Sequence, residues 1–254
     1  MEGPGYDPVK LAEGLKGVVC KGSMRKYYRF RGGRWYGGIA TADCVGCNLR
    51  CVFCWGWQVR DNPRGAGFWC TPEEVAGRLR GIAERRGYSQ VRISGNEPTL
   101  CREHLLEVLG LLEGSRLLFI LETNGILIGH DSSYARDLSR FSNVHVRVSI
   151  KGASAEEFHR LTGAKPEAFE LQLKALEHLL DYGVSAHPAA MLSFSEPQSV
   201  ERLKARLAEI DESLVREFEE EYVFLYPHVV AQLRRAGIWP KVAYSPDNIP
   251  SELI

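Results

Sequence analysis

Residues 47–54 read CNLRCVFC, which puts Cys47, Cys51 and Cys54 in one short loop with three residues and then two between them. Three thiolates so spaced can hold three corners of a [4Fe–4S] cluster and leave the fourth iron open to a ligand. Iron–sulfur clusters that only carry electrons are closed by a fourth cysteine, whereas a cluster that does chemistry needs an open position. Cys44 extends the run to C-x2-C-x3-C-x2-C. A closed zinc site or a closed cluster therefore stands beside the open one as a reading. Structural zinc pairs are usually separated by a loop longer than three residues, which weighs against zinc. Cys44 itself reads as a bystander, a substitute ligand or a substrate-side thiol.

The rest of the composition is ordinary for a globular protein. The chain has 254 residues, 44% hydrophobic and 25% charged, enough for one large domain. Lys+Arg and Asp+Glu both number 32, so the formal charge is zero, and neither nucleic acid nor an anionic membrane is demanded as a partner. No run approaches the 18 apolar residues of a membrane span, in the sense of the usual length rule. The start, MEGPGYDPVKLAEGLKG, lacks the basic and apolar regions of a signal peptide. Seven cysteines, four of them within 44–54, do not look like a disulfide framework. A cytoplasmic, reducing location is expected.

Beyond Trp35, apolar strand-like runs alternate with helical patterns. Strands are expected at 37–42, 90–94, 117–122, 144–150, 184–192 and 221–225. Helices are expected at 72–86, 102–112, 134–140, 155–161, 166–182 and 197–210. Thr71, Pro72 and Glu74 read as a capping box with proline at the first helical position. Gly87 and Gly183 fall where helices should stop. Six strand–helix units predict an α/β protein, a partial (β/α)6 barrel over 35–238. An N-terminal extension, 1–34, is expected to wrap outside it, and a C-terminal tail, 239–254, to form an extended strap.

The run NVHVRVSIKG, residues 143–152, is the most informative strand. Val144, Val146, Val148 and Ile150 share one face by period two; His145, Arg147, Ser149 and Lys151 share the other. The outer face of a barrel strand packs on helices and should be apolar, so the polar face is assigned to the interior. Charged groups there are costly unless paired or solvated, and a ligand-filled interior accounts for them. An edge strand with one wet face is the alternative.

The cysteine loop resembles the radical S-adenosylmethionine (SAM) superfamily, and the resemblance runs over about residues 37–226. It implies that Cys47, Cys51 and Cys54 ligate a [4Fe–4S] cluster whose open iron is chelated by SAM. Reductive cleavage of SAM would give a 5′-deoxyadenosyl radical for hydrogen abstraction. Phe53, before the third cysteine, matches the aromatic that packs on the cofactor adenine. The run GNEPT, with Gly95, Asn96, Glu97 and Pro98, resembles the family's Gly-Gly-Glu-Pro motif, whose backbone binds the SAM amino group; Asn96 departs from it. The run ETNG, with Glu122 and Asn124, resembles a polar cluster seen in activating enzymes and 7-carboxy-7-deazaguanine synthases; an Asn-Gly turn is the plain alternative. Ser149 and Lys151 match positions that hold the ribose or carboxylate of SAM, lysine acting as a point charge.

His187 with Ser185, and Tyr226 with His228, are further candidates for the interior and its mouth. Trp55 and Trp57 are candidates to shield the cluster. Cys20, Cys70 and Cys101 are scattered, so one cluster is expected. The resemblance implies a flavodoxin or ferredoxin as electron donor and leaves the substrate open. Protein glycyl-radical activation or peptide modification is put first, on chain size and ETNG. A small molecule, nucleoside or tRNA base comes next, since 21–34 interleave Tyr27, Tyr28 and Phe30 with basic residues. A non-catalytic iron–sulfur or zinc protein is the third reading.

Overall fold

The computed structural model of the chain describes residues 5–250. Six parallel strands pair in sequence order: β1 Ile39–Cys44, β2 Gln90–Ser94, β3 Leu118–Thr123, β4 Val144–Ile150, β5 Ser185–Met191 and β6 Glu219–Glu221. Helices make every crossover, among them Pro72–Arg86, Arg102–Leu112, Phe169–Asp181 and Pro197–Ile210. The sheet does not close on itself. It is a partial (β/α)6 barrel, as the alternation of patterns predicts.

Local sequence accounts for the boundaries. Thr71 and Glu74 close the capping box reciprocally, at 3.3 and 2.9 Å, and Gly87 ends the same helix with φ 67°. On β4 the four aliphatic residues pack into the helix-covered core, while Arg147 and Ser149 face the interior. Among the described residues, no helix is long and apolar enough to cross a membrane.

Several expectations need correction. β1 lies at Ile39–Cys44 rather than 37–42, because Trp35–Gly37 coil into a short turn with Tyr36 at φ 55° and Gly37 at φ 75°. The sixth barrel strand is Glu219–Glu221, not 221–225. The apolar Val223–Phe224 leaves the barrel and pairs with Ala243–Tyr244. Met24–Gly33 does not wrap outside: it extends the sheet as a strand antiparallel to β1 and itself pairs with the short strands Cys20–Lys21 and Phe68–Cys70. A helix, Pro8–Val19, precedes it, started by the Asp7 carboxylate accepting from Val9 N at 2.9 Å and Lys10 N at 3.2 Å. Its Ala12, Leu15 and Val19 pack on Val45, Leu100 and Leu127, beneath the cysteine loop. That helix ends at Cys20, which is disulfide-bonded to Cys101 across 81 residues of sequence. The cysteine count does not read as a disulfide framework, and this one bridge is the exception. Cysteines remote in sequence give no sign of pairing until the fold brings their backbones together, here with Cα atoms 5.7 Å apart. The outermost parts of both expected appendages, residues 1–4 and 251–254, lie outside the described residues.

Candidate active site

The cysteine loop leaves the C-terminal end of β1, where active sites of parallel barrels collect. Backbone bonds fix its shape: Val52 N donates to Leu161 O at 2.9 Å, and Cys54 N to Cys51 O at 3.2 Å. Two arginines brace it. Arg50 donates to Cys47 O, and the buried Arg60 donates to Cys51 O at 2.8 Å while gripping Asp61 at 2.7 and 2.8 Å. Burial pushes the Cys51 thiol up to about 11, against the pull of Lys151 and Arg60. Burial also raises Cys47, and the neighbouring Cys51 and Cys54 raise it further. Thiols of this kind release their protons only when metal takes them.

Cys44 does not join this group. It is fully buried in the core, and its thiol lies against the Arg25 guanidinium. The loop therefore offers three sulfurs rather than four. Among the described residues, no set of three or more His, Cys, Asp or Glu is arranged around a single metal ion. A cubane needs a wider spacing, since each thiolate binds a separate iron.

The next two strand ends are locked onto the loop. Glu97 N donates to Gly46 O at 2.9 Å. The buried Glu97 carboxylate accepts from Thr99 N at 3.1 Å, Thr99 Oγ1 at 2.6 Å, Thr123 Oγ1 at 2.7 Å and Asn124 N at 2.8 Å. Its side chain thus staples β2 to β3. Pro98 O accepts from Arg25 at 2.8 Å. Asn124 Nδ2 donates to Asn48 Oδ1 at 2.8 Å and lies 3.9 Å from Cys47 Sγ. Gln172 Nε2 donates to Asn124 O at 2.7 Å and to Ser149 O at 3.0 Å, stitching β3 to β4.

Between these anchors lies a polar cradle. Gly95 has φ 93°, and a Cβ there would stand 3.0 Å from Asp43 Cβ, so only glycine fits. A Cβ on Gly56 would stand 3.2 Å from Gly95 O and 3.4 Å from Asn96 Nδ2. Both amide atoms of Asn96, the Tyr28 hydroxyl and the Trp57 indole N–H are buried without a partner in the protein. Buried polar groups rarely stay unpaired, so these residues suit a polar ligand seated beside the cysteine loop.

The interior below is a lattice of paired charge. Lys151 donates to Ser149 Oγ, lies 3.6 Å from Glu221, and stands over the Phe53 ring at 6.0 Å. Ser149 donates to Glu221 at 2.7 Å. Arg147 holds Glu219 at 2.8 and 2.6 Å and Glu221 at 2.9 Å. Glu122 accepts from Arg92, Ser94 and Tyr36. Burial would raise this carboxyl, but Arg92 and Arg147 hold it down to about 2. Glu219 is likewise held to about 2 against burial, by Arg147 and His187. His187 Nε2 donates to Glu219 at 3.0 Å, and His187 Nδ1 shares a hydrogen bond with His145 Nε2 at 2.6 Å.

The structure thus gathers Phe53, Ser149 and Lys151 on one side of the cysteine loop, and Gly95, Asn96 and Asn124 on the other. Tyr226 and His228 stack at 5.7 Å beside the loop, His228 contacting Trp55 O at 2.9 Å. Reading the sequence missed Arg92, Glu219, Glu221, Arg60 and Gln172. The run EEE at 219–221 is the one signal available for the two glutamates, and it reads as a solvated surface.

The family model of the Radical SAM superfamily matches residues 43–195. A probable GTP 3′,8-cyclase of Thermococcus kodakarensis is 32% identical over 140 residues, 54% of this chain and 41% of its own length. A GTP 3′,8-cyclase of Pasteurella multocida is 31% identical over 163 residues, 63% and 43% of the two chains. The chain spans about two fifths of the length of the curated relatives it matches. Among solved structures, Streptococcus suis SuiB bound to S-adenosylmethionine superimposes with TM-score 0.54 and 19% identity, over 76% of this chain and 44% of that one. A spore photoproduct lyase variant with bound AdoMet and dinucleoside spore photoproduct gives TM-score 0.60 and 11% identity, over 88% and 66%.

Proposed function

Since the chain belongs to the radical SAM superfamily, whose members use a [4Fe–4S] cluster and SAM, we propose that Cys47, Cys51 and Cys54 hold that cluster here and that the surrounding strand ends bind SAM. When bound, the two groups supply one-electron cleavage of SAM to methionine and a 5′-deoxyadenosyl radical, which takes a hydrogen atom from substrate. The observation that carries the assignment is the division of the cysteines: Cys44 faces Arg25 in the core, and the loop keeps three.

The chain's own residues then have distinct tasks. Arg50 and Arg60 hold the loop carbonyls. Glu97 through its carboxylate and Pro98 through its carbonyl set Gly95 and Asn96 where a ligand amino group is received. Asn124 tethers the loop to β3 through Asn48. Phe53 offers a flat apolar face, and Ser149 with Lys151 a hydroxyl and a cation for ribose or carboxylate. Glu122, bound to Arg92, Ser94 and Tyr36, shapes the floor. A flavodoxin or ferredoxin serves as reductant.

For the substrate we favour a polar small molecule of the nucleoside or nucleotide class over a protein or peptide. Two things support this. The interior presents Arg92, Glu122, Arg147 and Glu219, groups that recognise hydrogen-bonding ligands rather than an extended chain; and the curated relatives named above act, by name, on GTP.

The experiment is SAM binding by equilibrium dialysis to apo and cluster-loaded protein, followed by anaerobic turnover with nucleotides or with peptides. Loading is expected to tighten SAM binding; equal affinity for both forms contradicts SAM chelation at the cluster. Stimulation of 5′-deoxyadenosine release by peptides alone overturns the substrate class and leaves the cluster assignment standing.

A further inference from the structure

A second concave surface lies outside the barrel. A cleft of about 680 Å³ opens between the strand Met24–Gly33 and helix Pro72–Arg86. Phe30 and Arg31 form one wall, and the helix contributes Gly77, Arg78, Gly81, Arg85 and Arg86. Positions 77–78, 81 and 85–86 recur every four residues and so share one helix face. No acidic side chain lines the cleft. Arg31 is committed to Asp43, at 2.9 Å. Among the described residues, Arg78, Arg85 and Arg86 have no carboxylate partner.

The helix dipole accounts for cations in the last turn, Arg85 and Arg86. It does not account for Arg78, in mid-helix, whose guanidinium lies 4.8 Å from the Phe30 ring and 5.5 Å from the Phe68 ring. Nor does packing account for Gly77. A Cβ there would meet nothing within 4 Å, yet glycine in a helix interior is disfavoured relative to alanine. At Gly81 a Cβ would stand 3.1 Å from Arg85 Nη1, so its absence lets Arg85 fold across the floor. The two glycines keep the cleft open and its cations low. At its rim stands Phe68, 42% exposed, with its ring 6.2 Å from that of Phe30. Three arginines and the rings of Phe30 and Phe68 therefore share one surface of a chain whose total charge is zero.

Guanidinium groups pair with phosphate, and exposed rings take unpaired bases by stacking. An acidic peptide would engage the arginines and leave the rings unused. Duplexes keep their base faces internal. We propose that this cleft and its aromatic rim bind single-stranded nucleic acid, with phosphates on Arg78, Arg85 and Arg86 and a base against Phe68. The cleft has the volume of a small-ligand site, enough to seat one nucleotide of the strand. The inference is independent of the radical chemistry.

Fluorescence anisotropy of the full chain with labelled 12-nucleotide oligouridylate and oligothymidylate tests it. Saturable binding to both is expected at 50 mM salt, with affinity about twentyfold weaker at 200 mM for three phosphate contacts. Arg78→Glu is expected to weaken binding at least about tenfold without moving the melting temperature. Gly77→Leu fills the cleft, keeps every charge and favours the helix, and is expected to weaken binding as well. Failure to bind at 50 mM, wild-type affinity in either variant, or equally tight binding of a polyglutamate peptide would each overturn the proposal.

Discussion

Glu97 shows how a site residue can act without touching a ligand. Its four accepted hydrogen bonds tie the turn after β2 to the start of the turn after β3. Glu97→Gln would set an amide NH2 against a backbone N–H, either at Thr99 or at Asn124. The expected cost is about 2 kcal/mol in urea unfolding, together with weaker SAM binding because Gly95 and Asn96 lose their support; unchanged stability would contradict the staple. The cysteines make a second test at this scale. Cys51→Ala is expected to abolish iron loading and SAM cleavage. Cys44→Ala is expected to retain both and to lose about 1 kcal/mol of stability, the scale of one small buried group. Iron analysis and 5′-deoxyadenosine assays distinguish them, and a Cys44→Ala protein without iron would return Cys44 to the ligand set.

At the scale of elements, β4, β5 and β6 depend on one another through charge. Arg147 on β4 binds Glu219 and Glu221 on β6, and His187 on β5 shares Glu219. Glu122 and Glu219 fall to about 2 in the fold from an ordinary 4.5. A depressed carboxyl contributes stability above its unfolded value and loses it as pH falls through the folded one. Urea midpoints are therefore expected to hold above pH 4.5 and to decline steadily toward pH 2; a flat profile down to pH 3 would contradict the pairing. Arg147→Met strands two partly exposed carboxylates, Glu219 at 38% and Glu221 at 21%, and with solvent screening them is expected to cost about 1–3 kcal/mol.

These same elements mark where the sequence was legible. Helix Pro72–Arg86 carries caps at both ends, and Arg102–Leu112 and Pro197–Ile210, without side-chain N-caps, follow from apolar periodicity and, in the second, from Pro197 at its first position. β4 announces itself by strict alternation. β6 does not: Glu219–Glu221 has no apolar residue, and its place is set by partners on β5 and β4 that lie 32 and 72 residues away. Met24–Gly33 is hidden by its arginines and glycines, since Arg29 and Arg31 become strand residues only by pairing with Asp43 of β1. The cysteine loop and the three strand-end motifs were readable because their chemistry is local. The cradle of Tyr28, Asn96 and Trp57 was not, because three separate segments build it.

At the scale of the molecule, the N-terminal helix Pro8–Val19 braces the cysteine loop from beneath, with Asn48 Nδ2 donating to Pro8 O at 3.3 Å. The Cys20–Cys101 disulfide clamps this helix to the segment that follows GNEPT. Closing a loop of that length stabilises by about 4 kcal/mol in the chain-entropy account. Thiol reductant is expected to lower the melting temperature of the wild type and not that of Cys20→Ser, which should melt near the reduced wild type; identical melting of oxidised and reduced protein would contradict the clamp. The same assembly exists, on this account, to present three thiolates and one open iron to SAM. The most direct measurement is anaerobic reconstitution with iron and sulfide, addition of dithionite and SAM, and quantitation of 5′-deoxyadenosine. The account predicts that it forms in the wild type and not in Cys51→Ala. A brown, cluster-loaded protein that leaves SAM intact, or a colourless one that binds only zinc, would contradict it.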